Sequence, residues 1–197
     1  MLMAENLGFR YAGVPVLHGV NLRVGAASMV AVTGANGCGK STLLHLLAGV
    51  EAPASGSVRR SVGSRLALLP QRTGDIDALP LTVLECVQIG RFRPRRLLRR
   101  PDRVAVTEIM ERLDIAHLAR RRLRELSGGQ RQRTLIAQAL VQDADIYVLD
   151  EPTAALDTDS RQRVHALLTE RVAGGAAMVV ASHDAEEAAL AGETLVL

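Results

Sequence analysis

The stretch that decides the fold is Gly34-Ala35-Asn36-Gly37-Cys38-Gly39-Lys40-Ser41-Thr42, a glycine-rich run that ends in a lysine and two hydroxyl residues. It matches G-x-x-x-x-G-K-[ST], a phosphate-binding pattern when a strand precedes it and a helix follows. Residues 29–32 ahead of it form a compact apolar run typical of a buried strand. After it, leucines recur at helical spacing up to Gly49, a residue suited to ending a helix (Leu43, Leu44, Leu46 and Leu47). The flanks therefore favour a strand, a phosphate loop and a helix over an ordinary glycine turn.

This loop has the chemistry to hold a nucleoside triphosphate. Glycines let backbone N–H groups curl around phosphate oxygens, and the start of the following helix adds partial positive charge. In such a loop Lys40 reaches the β- and γ-phosphates, and the Ser41 hydroxyl is a ligand of Mg²⁺. Lys40 is the single lysine beside 23 arginines. This contrast indicates a position that needs a compact point charge rather than a planar guanidinium.

The remaining composition is that of an ordinary globular domain. The 197 residues carry 24 basic and 21 acidic side chains, a formal charge of +3, and 48% of them are hydrophobic. These proportions argue against a disordered or fibrous protein. The two cysteines, Cys38 and Cys86, make neither a disulfide scaffold nor a zinc module. The longest apolar run, residues 176–181, is far shorter than the ~20 residues that span a bilayer, and the amino terminus lacks a signal-peptide pattern. We therefore expect a soluble, cytosolic, single-domain chain.

A second apolar run supplies the acidic groups that nucleotide chemistry needs. Residues 146–149 read as a buried strand, and Asp150 and Glu151 follow it directly. A carboxylate at the carboxyl end of a buried strand lies beside the phosphate loop in an open α/β sheet. Asp150 is then placed to hold Mg²⁺, and Glu151 to take a proton from an attacking water. Pro152 agrees with an exit from the strand into a loop.

The segment Leu126-Ser127-Gly128-Gly129-Gln130 precedes a helical pattern over residues 129–141. Ser127 can cap this helix, whose first turn is rich in glycine and exposes N–H groups. The helix start is therefore a second candidate for binding anions, one that could serve the nucleotide of another subunit. From the residues alone, a simple helix cap explains the segment equally well.

The ordered motifs together resemble those of ATP-binding cassette (ABC) proteins over essentially the whole chain. Residues 126–130 resemble the family's signature motif, residues 34–42 its Walker A loop and residues 146–151 its Walker B strand. Four further positions match the adenine-stacking aromatic, the Q-loop glutamine, the D-loop aspartate and the switch histidine of that family (Tyr11, Gln71, Asp157 and His183).

The resemblance implies an α/β fold: a P-loop NTPase (RecA-like) core with a small antiparallel β lobe and an inserted α-helical subdomain. It implies one ABC ATPase domain over residues 1–197, with the helical subdomain at roughly 72–141. Apolar spacing independently predicts an amphipathic helix over residues 164–172 and strands at 178–180 and 193–197. Family members usually continue further, so we expect a shortened copy.

The resemblance also implies a mechanism in which two copies of the chain enclose two ATP molecules head to tail. Each ATP would lie between one chain's Walker A loop and the other chain's residues 127–130. Glu151 would polarise the attacking water, His183 would contact the γ-phosphate, and Gln71 would touch the metal or the water. Asp157 would communicate across the dimer. The implied catalytic residues are Glu151, His183 and Gln71; the metal ligands are Ser41, Gln71 and Asp150; the nucleotide contacts are Tyr11, Gly34, Ala35, Asn36, Gly37, Cys38, Gly39, Lys40, Ser41, Thr42, Ser127, Gly128, Gly129, Gln130 and Asp157.

Two function classes follow from the family: the ATPase of a membrane transporter, and a soluble ATPase acting on nucleic acid or ribosomes. The second class usually carries coiled-coil or zinc-binding insertions or a tandem cassette, and the chain has none of these, which favours transport. Residues 77–83 and 87–91 resemble cassettes of zinc/manganese-type metal importers, although siderophore, haem and cobalamin importers share a similar pattern. The expected cofactors are ATP and Mg²⁺. The expected partners are a transmembrane permease subunit, a second copy of the chain and an extracytoplasmic substrate-binding protein, at the cytoplasmic face of the membrane.

An arginine cluster stands out between residues 91 and 103, where seven of thirteen residues are arginine and Asp102 is the single acid. Basic clusters attract phosphate backbones or anionic lipid headgroups. Nucleic-acid binding would be helped by interleaved aromatics, but only Phe92 is available, so we expect no nucleic acid. A membrane-facing surface and a solvated face of an arginine-biased protein are equally good explanations.

Overall fold

The computed structural model describes residues 1–71, 79–92 and 98–197, and these divide into two compact units. The first unit holds residues 1–71, 144–152 and 168–197, and the second holds the described residues of 72–143 together with 153–167. Part of the arginine cluster, residues 93–97, and residues 77–78 of the importer-like run lie outside the described residues. The strands are β1 (Leu2–Tyr11), β2 (Val14–Val24), β3 (Ser28–Thr33), β4 (Ser55–Arg60), β5 (Leu66–Leu69), β6 (Ile146–Asp150), β7 (Ala177–Ala181) and β8 (Glu193–Val196). The helices are α1 (Lys40–Ala48), α2 (Val83–Ile89), α3 (Arg100–Arg112), α4 (Gly128–Leu140), α5 (Thr158–Ala173) and α6 (Ala185–Leu190).

A five-stranded parallel sheet forms the centre of the first unit, in the order β5-β6-β7-β3-β8. All residues of β6 and β7 are buried. Their sequences are nearly continuous apolar runs rather than alternating ones, as is typical of strands that are covered on both faces. Parallel strands bring their carboxyl ends to one edge of the sheet. The phosphate loop after β3, Glu151 after β6 and Ser182 after β7 therefore share that edge.

A separate three-stranded antiparallel sheet, in the order β2-β1-β4, completes the first unit. Its apolar side chains, among them Leu2, Leu7 and Leu22, join one buried cluster with α1 and the parallel sheet. The predicted α/β class, with a parallel core and an antiparallel lobe, is thereby confirmed. The predicted strands at 29–32 and 178–180 and the last strand are also confirmed, each within a residue or two of its expected ends.

The second unit is helical, and α2 packs against α4 within it. Gly90 at the end of α2 permits this close approach, since a Cβ there would lie 2.3 Å from the carbonyl oxygen of Gln138. A capping box starts α2: Glu85 N–H donates to the Thr82 hydroxyl (3.3 Å) and Thr82 N–H donates to the Glu85 carboxylate (2.8 Å). The Thr82 hydroxyl also donates to the Glu85 carboxylate (2.7 Å). The bond from the Thr82 backbone first, and then the bond from its hydroxyl, lower the pKa of Glu85. In the described part of the chain no helix is both long and apolar enough to cross a membrane.

Candidate functional site

The phosphate loop runs from the end of β3 to the first residue of α1. Gly39, just before the helix, has a φ of 105°, and a Cβ there would lie 2.8 Å from a methyl of Leu17. Both the backbone conformation and the close packing therefore require glycine. The α1 helix ends as predicted at Gly49, which adopts the left-handed conformation.

Lys40 lies at the start of α1 with its side chain folded over the loop. Its Nζ donates hydrogen bonds to the carbonyl oxygens of Gly34 (2.9 Å) and Ala35 (3.0 Å). The residue is only 6% exposed. The ammonium group is thus held inside the loop by two backbone oxygens, at the position where phosphate oxygens would collect.

Asp150, the last residue of β6, is a buried carboxylate with an exposed fraction of 2%. Neither of its oxygens accepts a well-formed hydrogen bond from the described residues. Burial raises the pKa of Asp150, and the nearby Ser41 hydroxyl opposes that rise only in part. Because buried charges in proteins are normally paired or coordinate a metal, this carboxylate beside a serine hydroxyl fits a Mg²⁺ site.

Three side chains meet at the carboxyl edge of the sheet. Nε2 of Gln71 donates a hydrogen bond to Oε2 of Glu151 (2.9 Å), and Nε2 of His183 lies 3.3 Å from Oε1 of the same carboxylate. Glu151 has a positive φ of 47°, an uncommon conformation for a residue that is not glycine. This conformation turns the chain sharply after β6, as a residue held at a functional position often does. The structure therefore brings together Glu151, His183 and Gln71, the three residues that the resemblance implied to be catalytic.

A cavity of about 520 Å³ adjoins these groups. Tyr11 at one side is half-exposed and stands edge-on against Phe9, with ring centroids 4.8 Å apart. One lining residue, Val16, was not predicted, since an isolated valine carries no signal of its own. Gly34, Ala35, Cys38 and Asp150 are not part of the lining. The cavity is lined by Tyr11, Val16, Asn36, Gly37, Gly39, Lys40, Ser41, Thr42, Gln71, Glu151 and His183.

The other predicted site residues belong to the second unit. Ser127 caps α4: its hydroxyl accepts a hydrogen bond from Gln130 N–H (3.3 Å), and the Gln130 side chain accepts one from Ser127 N–H (3.1 Å). The predicted helix cap is confirmed, while contact of this helix start with an anion stays a prediction. Asp157 accepts hydrogen bonds from the backbone and hydroxyl of Ser160 at the start of α5 (2.8 and 3.1 Å), and these lower its pKa.

Comparison with known proteins extends these observations. The ABC transporter family profile matches residues 17–154. The zinc import ATP-binding protein ZnuC of Cereibacter sphaeroides is 38% identical over 185 residues, covering 93% of this chain and 73% of that protein. The manganese transport ATP-binding protein MntB of Bacillus subtilis is 34% identical over 93% of this chain and 77% of its own length. The hemin import ATP-binding protein HmuV of Streptomyces coelicolor is 39% identical over 98% and 73%.

Solved structures of ABC transporters and their cassettes also match this chain. An inward-facing metal-chelate type ABC transporter superposes with a TM-score of 0.84 at 33% identity, covering all of this chain and 79% of that one. A dimeric bacterial ABC transporter cassette superposes with a TM-score of 0.89 at 26% identity, covering all of this chain and 94% of that one. The phosphate loop, the buried aspartate and these matches lead to one conclusion: the chain belongs to the ABC transporter family and is an ATP-binding, ATP-hydrolysing subunit of that family.

Proposed function

We propose that this chain energises a membrane importer for metal ions of the zinc/manganese type, by binding and hydrolysing ATP with Mg²⁺. The observation that carries the proposal is the cavity in which Lys40, Ser41 and Glu151 converge. The cargo class is supported by relatives named for zinc and manganese transport. The 39% identity to the hemin import protein favours a second candidate, the ATPase of a siderophore, haem or cobalamin importer.

In this proposal the triphosphate lies along the phosphate loop, with the base against the ring of Tyr11. Lys40 has three N–H groups, two of which hold Gly34 and Ala35, so one remains for a phosphate oxygen. Asp150, Ser41 and Gln71 would hold Mg²⁺; Gln71 would use its amide oxygen, because its nitrogen donates to Glu151. When bound, Mg²⁺ supplies positive charge that offsets the charge of the phosphates.

Hydrolysis in this proposal depends on Glu151 as the general base. A carboxylate at hydrogen-bond distance from a water can take its proton as the water attacks phosphorus. His183 and Gln71, which contact the two oxygens of Glu151, would hold that carboxylate in place, while His183 would also lie near the γ-phosphate and the amide oxygen of Gln71 near the metal. The base is therefore already oriented at the cavity wall before ATP arrives, where it would meet the attacking water.

The composite site in this proposal needs a second copy of the chain. Residues 127–130 at the start of α4 would meet the other copy's γ-phosphate through the N–H groups of Gly128 and Gly129, since those of Ser127 and Gln130 are used in the capping box. Asp157 would lie at the same junction. The helical subdomain, residues 72–141, would face a transmembrane permease on a separate chain, at the cytoplasmic face of the membrane. An extracytoplasmic substrate-binding protein would complete the importer.

The test is to tag the protein in its native cells, solubilise the membranes gently and identify what co-purifies. We expect one multi-span membrane protein and a metal-binding receptor, and uptake of zinc or manganese that is lost in a strain carrying Lys40→Ala. Uptake of haem or a siderophore instead of metal ions would favour the second candidate. Recovery with ribosomes or DNA in the soluble fraction would overturn the proposal for transport.

A further inference from the structure

The turn between β7 and α6 carries His183 and is held by two side-chain hydrogen bonds. The Ser182 hydroxyl accepts a hydrogen bond from Asp184 N–H (2.9 Å), and the Asp184 carboxylate accepts one from Glu186 N–H (2.8 Å). Ser182 is only 3% exposed, whereas the His183 side chain is 43% exposed. A buried hydroxyl thus bridges the backbone on either side of a half-exposed histidine.

The backbone on the sheet side of this turn is also fixed. Ser182 N–H donates to the carbonyl of Val32 (3.1 Å), two residues before the phosphate loop begins, and Glu151 N–H donates to the carbonyl of Ala181 (2.9 Å). The carboxyl ends of β6, β7 and β3 are therefore joined in a row. On the far side of His183, the bond from Asp184 N–H to the Ser182 hydroxyl ties the chain back to this row.

Within the part of the chain that the structure describes, the His183 ring makes its polar contact with Glu151. The orientation of the His183 ring therefore depends on the backbone of the turn, and the Ser182 hydroxyl fixes that backbone. A displacement of about 1 Å in a group that takes part in a reaction can reduce the rate by two orders of magnitude.

We propose that Ser182 is a positioning residue, whose buried hydroxyl holds the turn so that His183 stays against the carboxylate of Glu151. The proposal rests on the proposed function of His183 and Glu151 in hydrolysis. Ser182→Ala removes the acceptor and leaves the Asp184 N–H without its bond, so the turn can relax. Ser182→Thr keeps a hydroxyl at the same place and should restore the contact.

The first experiment is steady-state ATP hydrolysis by the full chain with Mg²⁺. In Ser182→Ala we expect kcat to fall about tenfold while KM for ATP changes less than about twofold, since the nucleotide contacts remain and only the reacting step loses an interaction. Ser182→Thr should recover most of kcat. The matched control is Ser28→Ala, which removes a hydroxyl bond of equal length (2.9 Å, to the Gly25 carbonyl) at the opposite end of β3 and should leave the kinetics unchanged.

The second experiment uses the nucleotide-free protein and reports on the ring directly. The NMR signals of the His183 ring, assigned with a His183→Gln variant, should shift when Glu151→Gln is introduced into the wild type. The same change in a Ser182→Ala background should shift them much less, because the contact is already lost. If Ser182→Ala does not fold, Ser182→Cys carries the test, since a thiol has similar shape but is a weak acceptor.

The outcomes separate this inference from the function on which it rests. Wild-type kcat in Ser182→Ala, together with an unchanged His183 response to Glu151→Gln, would overturn the positioning role. Parallel changes in kcat and KM that Ser182→Thr does not rescue would overturn it too, in favour of a merely structural serine. If His183→Gln and Glu151→Gln hydrolyse ATP at the wild-type rate, the proposed function fails instead, while the ring signals still test whether Ser182 directs His183.

Discussion

Replacing Asp150 by asparagine should make the free protein more stable and the ligand-bound protein less stable than the wild type. The Asp150 carboxylate is 2% exposed, and its oxygens accept no well-formed hydrogen bond from the described residues. An unsatisfied buried polar group costs about 1–3 kcal/mol, and more when it is charged. An isosteric neutral amide should therefore recover about 1 kcal/mol, which in a domain of this size raises Tm by about 2–4 °C.

With Mg²⁺ and ATP the order should reverse. A ligand present at 100 times its Kd stabilises the folded state by about 2.7 kcal/mol, and Asp150→Asn should lose most of this gain because the amide is a poor metal ligand. The assay is thermal unfolding of both proteins, first with EDTA and no nucleotide, then with Mg²⁺ and a slowly hydrolysed ATP analogue. Two unfolding curves that exchange their order between these conditions are the expected result.

The matched control is Asp159→Asn, which removes the same charge at an exposed position in the first turn of α5. It should lower stability slightly, since an acidic residue near a helix start is favourable, and it should keep the full response to Mg²⁺ and ATP. A metal-free Asp150→Asn protein that unfolds below the wild type would refute the reasoning, because it would mean that the carboxylate is stabilised without a ligand. An undiminished response to Mg²⁺ would equally remove Asp150 from the metal site.

Four further substitutions test other parts of the site and fold. Lys40→Ala should weaken ATP binding in calorimetry by roughly 10–100-fold, and Lys40→Arg should not restore it, since a charge-assisted hydrogen bond contributes about 1.5–3 kcal/mol; unchanged affinity would count against the phosphate loop. Glu151→Gln should bind ATP, accumulate as a dimer and hydrolyse at least about 100-fold more slowly, and normal turnover would exclude Glu151 as the base. Ser127→Arg should abolish the ATP-induced dimer in light scattering while the monomer still binds ATP, so a normal dimer would contradict the proposed sandwich. Glu85→Gln should lower the urea midpoint of unfolding at pH 7. Because Thr82 lowers the pKa of Glu85 in the folded protein, the stability that the Glu85 carboxylate contributes is present above the unfolded pKa of about 4.3 and is lost as the pH falls through the lower folded value. The urea midpoints of the variant and the wild type should therefore converge in acid.

Local patterns were sufficient to predict the elements that build the phosphate site. The strand before the loop, the helix that ends at Gly49 and the cap at Ser127 each depend on residues within about one turn of one another. Asp150 follows in the same way, since an acid at the end of an all-apolar run is visible in the sequence. These features are encoded by backbone conformation and periodicity, which a single sequence displays directly.

The meeting of Gln71, Glu151 and His183 at one edge of the sheet could not be predicted from the residues alone. Gln71 and Glu151 are 80 positions apart and meet because β5 and β6 are neighbours, and His183 joins them because β7 lies on the other side of β6. Strand order is a property of long-range packing, so resemblance to a family was needed to select this glutamine and this histidine. Ser182 was missed for a related reason: a serine before a histidine gains meaning only when its hydroxyl is seen to be buried in the turn.

The single lysine of this arginine-rich chain shows how strongly the site constrains the sequence. Of the 24 lysine and arginine residues, 23 are arginine, and Lys40 is the single lysine. The geometry supplies the reason: one nitrogen approaches the carbonyls of Gly34 and Ala35 at 2.9 and 3.0 Å and keeps its third N–H for a ligand. A guanidinium spreads its donors over a planar fork and cannot direct three of them from one atom. Because the two carbonyls and the ligand are all served by one nitrogen of a residue that is only 6% exposed, charge alone does not preserve the function of this position.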